Sequence, residues 1–115
     1  MGAGVAMTTV VQVTCYRARS LREAIVNDRR LPDYELEVSR QHTPGRNPGW
    51  AKLYGSDYTT RGSINIEWDL QTRTLLARVV NRSSGKPDEI TGRFVKYLLA
   101  RHRRNIRSIQ ISPEV

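Results

Sequence analysis

The segment "PDEITGRFVKYLLARHRRN" (87–105) constrains the fold most, because it reads as one long helix with a single apolar face. Phe94, Val95, Leu98, Leu99 and His102 recur at the 3, 4 spacing of a buried stripe. Such a stripe needs an apolar surface to cover it. Pro87 suits the first turn, and Asp88 and Glu89 stand where the positive end of a helix favours acid. Lys96, Arg101, Arg103 and Arg104 gather toward the opposite, negative end. Gly92 costs about 1 kcal/mol relative to alanine inside a helix, and close backbone packing would account for it.

The covering surface is supplied by short, alternating runs. "TTVVQVTCY" (8–16) is β-branched and alternates, as a strand does. "SLREAIVNDRR" follows, with Ser20 and Glu23 at capping-box spacing, and Leu21, Ala24 and Ile25 as a short apolar stripe ended by Leu31-Pro32. "YELEVSRQ" sets Tyr34, Leu36 and Val38 against Glu35, Glu37 and Ser39, a strand with one wet face. "WAKLY" sets Trp50, Lys52 and Tyr54 against Ala51 and Leu53, and "INIEWD" sets Ile64, Ile66 and Trp68 against Asn65 and Glu67. "TLLARVVNR" carries the apolar doublets Leu75-Leu76 and Val79-Val80, which predict a central strand covered on both faces. "IRSIQIS" closes the chain as a last strand.

The expected architecture is α+β. A mostly antiparallel sheet of about 5–6 strands carries two helices on one side, in the order β-α-β-β-β-β-α-β. A chain of 115 residues fits one domain, 1–115, with 1–7 as a flexible lead-in. No apolar run approaches the ~20 residues of a membrane span, and the first sixteen residues lack the basic start of a secretory signal. A single cysteine, Cys15, excludes an intramolecular disulfide. It lies in an apolar run and reads as buried, and the default compartment is a reducing cytoplasm.

Charge is the strongest functional signal. The net charge of +8 is unevenly spread: residues 17–30 contribute +3 and residues 81–104 contribute +5, while 31–45 are acidic at −2. The cluster Arg101, Arg103, Arg104 and Arg107 exceeds what a helix end needs to offset its dipole. Arginine forks onto phosphate, and each phosphate neutralised releases counterions. The loop "RQHTPGRNPGWAKLYG" (40–55) adds Arg46, Lys52 and Trp50, charge together with a flat ring on which a base could stack. The same loop also reads as a long hairpin turn with Trp50 packed on the sheet.

Catalysis and metal binding find little support. Only His42 and His102 are available, and the latter sits on the apolar stripe. Neither has a spaced carboxylate or cysteine partner, so no transition-metal site or cofactor is indicated. Three readings follow. The preferred one is a small basic binding module without catalytic activity, engaging nucleic acid or an acidic protein through Arg101, Arg103, Arg104 and Arg107, with Arg46, Lys52 and Trp50 as secondary contacts. It would have no strong sequence preference. The alternative is a protein-interaction or homodimeric regulatory domain pairing through an edge strand such as "YELEVSRQ". The third, a metal-dependent nuclease using Glu67 and Asp69, is the weakest, because the following strand offers Arg78 and no acid.

Overall fold

A computed structural model describes residues 7–57, 62–81 and 88–114. The lead-in before Met7 and the first-turn position of Pro87 therefore lie outside the described residues. Six strands form one sheet: β1 (Met7–Cys15), β2 (Leu36–Arg40), β3 (Trp50–Gly55), β4 (Gly62–Asp69), β5 (Thr74–Asn81) and β6 (Ile106–Glu114). Helix α1 (Leu21–Val26) joins β1 to β2, and α2 (Glu89–His102) joins β5 to β6. The element order is the expected β-α-β-β-β-β-α-β, with a 3₁₀ turn at Leu31–Tyr34 and another at Arg103–Asn105.

The strands are ordered β2-β3-β4-β5-β1-β6, and every neighbouring pair is antiparallel. Four consecutive strands, β5 to β2, thus run outward to the β2 edge, and β1 inserts between β5 and β6. Both β5 and β6 are antiparallel to β1, so α2 connects two parallel strands across the strand between them.

Strand alternation decides which face is covered. Val11, Val13 and Cys15 of β1, Leu36 of β2, Ala51 and Leu53 of β3, Ile64 and Ile66 of β4, and Leu75, Ala77 and Val79 of β5 are buried in one cluster. Leu21 and Ile25 of α1 and Ile90, Phe94, Tyr97 and Leu98 of α2 complete that cluster. Both helices therefore cover one face, and among the described residues the other carries no helix.

Three local expectations are corrected. Strand β5 is interior in the sheet but covered on one face only: Leu75, Ala77 and Val79 are buried, whereas Leu76 is 39% exposed and Arg78 is exposed. The apolar doublets reflect the β-propensity of leucine and valine on an open face, not a second layer. Tyr34 belongs to the 3₁₀ turn and not to β2, because Glu35 takes a left-handed conformation (φ 59°) that breaks the strand before Leu36. Gly92 has open space where a side chain would stand, so close packing does not explain it.

Candidate polyanion-binding cleft

The site is built where the ends of the two helices meet. Helix α1 starts at Ser20, whose hydroxyl accepts the Glu23 N–H at 3.2 Å. Only this half of the capping box forms; the Glu23 carboxylate turns instead to its neighbour Arg22. The Arg22 guanidinium is buried on the far flank of α1, where Nε and Nη2 donate to the Trp50 carbonyl at 3.1 and 3.0 Å and Nη2 donates to the Gln41 carbonyl at 2.6 Å. That fork fastens the short helix to the start of β3. A six-residue helix is marginal alone, and this tertiary anchor holds it.

At the other end of α1, Asp28 organises the contact with α2. Its side chain is only 5% exposed. It accepts from Tyr97 Oη at 2.7 Å, from the Arg30 backbone N–H at 2.9 Å, and from Arg101 Nε and Nη2 at 3.1 Å each. Burial alone would raise its pKa, but these hydrogen bonds and the Arg101 charge outweigh it and hold the carboxyl at about 2. The same burial, with the adjacent carboxylate, pushes the Tyr97 hydroxyl far above its ordinary range. His102 Nε2 lies 2.8 Å from Tyr97 Oη. Since the Tyr97 proton goes to Asp28, Nε2 carries the hydrogen in that contact. Burial lowers the His102 pKa, partly opposed by Asp28.

Between these anchors opens a cleft of about 840 Å³ lined by Arg17, Arg19, Arg101, Arg103 and Arg104 along with Ser20, Asn27 and Asn105. That is the size range of small-ligand sites, ~300–1,000 Å³. Arg17 and Arg19 of one basic segment and Arg101, Arg103 and Arg104 of the other, distant in sequence, share this cleft. Asn105 fixes the two walls together: its carbonyl accepts the Tyr16 N–H at 2.9 Å and its side-chain Oδ1 accepts the Arg17 N–H at 3.0 Å.

The acids within the cleft are already engaged, Asp28 by Arg101 and Glu23 by Arg22. Among the described residues no carboxylate oxygen comes within 4.0 Å of the guanidinium nitrogens of Arg17, Arg19, Arg103 or Arg104. All four are exposed.

The residues singled out from the sequence separate accordingly. Arg101, Arg103 and Arg104 line the cleft, although Arg101 is held by Asp28. Arg107 lies one step along, exposed in a smaller groove of about 440 Å³ between α2 and β6 that it shares with Arg103. Arg46, Lys52 and Trp50 do not line the cleft. Strand β3 lies three strand spacings from β1, about 14 Å across the sheet. Trp50 is 4% exposed, with Arg46 stacked 5.1 Å from its ring centroid and its indole N–H 3.3 Å from Asn65 Oδ1. It offers no open face to a base. Arg17 and Arg19 were signalled only by the local charge excess of residues 17–30, because which arginines of that segment share a face depends on the fold.

The two acids considered for metal-dependent chemistry are otherwise placed. Asp69 Oδ1 accepts the Gln71 N–H at 3.0 Å and Oδ2 accepts the Thr72 hydroxyl at 3.0 Å, which closes the β4–β5 turn. Glu67 is exposed on the open face of the sheet. Among the described residues no group of three or more His, Cys, Asp or Glu is arranged to hold a metal ion. No described helix is long and apolar enough to cross a membrane. No protein-family model, curated protein or solved structure matches this chain.

Proposed function

We propose that this chain is a non-catalytic binding module that takes nucleic acid in the cleft between α1 and the end of α2, without strong sequence preference. The observation that carries the reading is the convergence of Arg17, Arg19, Arg103 and Arg104 on one cleft with no carboxylate of the described residues paired to them. Cations that merely solvated a surface would be dispersed or matched by acids. Here the two acids of the cleft are consumed by Arg22 and Arg101, so the remaining field is positive. Nucleic acid is favoured over an acidic protein because guanidinium groups fork onto phosphate oxygens with two parallel hydrogen bonds. Contacts of this kind read the backbone and leave base identity unread.

Fluorescence anisotropy of a labelled oligonucleotide, titrated at several salt concentrations, tests the reading. Four arginines that each neutralise one phosphate give a slope of log affinity against log salt near about −3 for a single strand. Absence of binding at low salt, or binding indifferent to salt, refutes it.

A second reading, self-association through an edge strand, is favoured by the position of β2 at the border of the sheet. Its backbone groups are unpaired on one side, as in any edge. Sedimentation at two protein concentrations, with and without salt, distinguishes it: a monomer throughout removes it.

A further inference from the structure

We infer that the cleft takes single strands in particular, and that Tyr16 is the platform on which a base stacks. This rests on the proposed polyanion site and names a residue that site did not include. Tyr16 immediately precedes Arg17 and is 58% exposed, the most exposed aromatic residue among those described. Its backbone is tied on both sides. The N–H donates to the Asn105 carbonyl at 2.9 Å, and the carbonyl accepts from Arg73 Nη1 at 2.6 Å. Asn105 and Arg17 both line the cleft, so the Tyr16 main chain is immobilised next to it, although Tyr16 is not itself one of the lining residues.

This combination fits one ligand chemistry. An aromatic ring kept in water by a fixed backbone forgoes burial that a loop residue could otherwise find. One residue before Arg17 of the cleft, it would supply the second half of single-strand recognition, an aromatic face at the end of a phosphate track. In a duplex the bases are already stacked on one another, and such a ring gains nothing from them. The arginine row alone accepts either form; Tyr16 discriminates between them. The neighbouring Arg73 guanidinium, spent on the Tyr16 carbonyl, serves to position the ring.

The test compares wild type, Tyr16→Ala and Tyr16→Phe for binding to a labelled oligothymidylate and to a labelled duplex of equal length. Tyr16→Ala should lose about ten-fold or more in affinity for the single strand. Tyr16→Phe, which keeps the ring, should stay within about two-fold of wild type, and the salt slope should be the same in all three proteins. Duplex binding should be weaker than single-strand binding and unchanged by either substitution. Unaltered single-strand affinity in Tyr16→Ala, with wild-type binding intact, overturns the platform and leaves the arginine cleft standing. Failure of wild type to bind either probe at low salt overturns both. An equal loss in Tyr16→Phe and Tyr16→Ala also refutes stacking, since it would assign the effect to the hydroxyl.

Discussion

Replacing Asp28 with asparagine cuts the junction that joins the two helix ends, and the structure sets the size of the effect. The carboxyl is held at about 2 against an ordinary value of 3.8, nearly two pKa units. At ~1.4 kcal/mol per unit this is about 2.5 kcal/mol of stability near neutral pH. The Arg101 side chain is 39% exposed, so solvent screening reduces the figure to about 2 kcal/mol. For a domain of this length that lowers the melting temperature by about 8 °C.

The sign of the pH dependence follows from the direction of the shift. A lowered folded pKa stabilises the protein above the ordinary carboxylate range, and the contribution disappears as pH falls through about 2. Urea denaturation of wild type and Asp28→Asn should therefore differ by a constant amount from ~pH 7 to ~pH 5, and the gap should close below ~pH 4. A gap that persists unchanged at acid pH refutes the electrostatic account, because the loss would then come from packing. The substitution also releases Arg101 into the cleft. Oligonucleotide affinity should rise while stability falls, a pairing that a purely structural role does not produce.

Gly92→Ala should stabilise the fold by about 1 kcal/mol, since the added methyl meets open space inside a helix; a lower urea midpoint would contradict this. Arg22→Met should cost about 2–4 kcal/mol, because it leaves the buried Trp50 carbonyl and the half-buried Gln41 carbonyl without the Arg22 donor; a loss below about 1 kcal/mol would show that α1 is anchored otherwise. His102 adds a milder pH effect of its own. Its pKa is lowered by burial, so its contribution is present above the ordinary histidine range and declines as pH falls below ~6.5. His102→Gln should remove that step from the stability profile, and a step retained in the variant would assign it to another group.

Much of the fold was legible because its signals are local. Phe94 and Leu98 of the expected stripe and the alternation of Ile64 and Ile66 each follow from the period of one element, whereas Tyr97, buried in the same core, stood outside the expected stripe. The less legible features all depend on distant partners. Arg101 reads as a free cation until Asp28, 73 residues away, arrives to bind it. Trp50 reads as core more readily than as platform, and Arg46 and the β3–β4 pairing close over it. Leu76 and Val80 looked like a second covered face because β-branched and leucine side chains also suit an open one. The charge excess of residues 17–30 was visible, but its division was not: Arg22 points into the protein, whereas Arg17 and Arg19 point to the cleft.

Binding is expected to depend on where the arginines stand and not on total charge. Charge reversal at two cleft positions, Arg19→Glu with Arg104→Glu, can be compared with reversal at two positions outside it, Arg40→Glu with Arg46→Glu. Both proteins carry the same net charge, so oligonucleotide anisotropy at low salt separates place from sum. The cleft variant should lose binding while the control stays close to wild type. Equal losses in the two proteins, or full binding by the cleft variant, would contradict it.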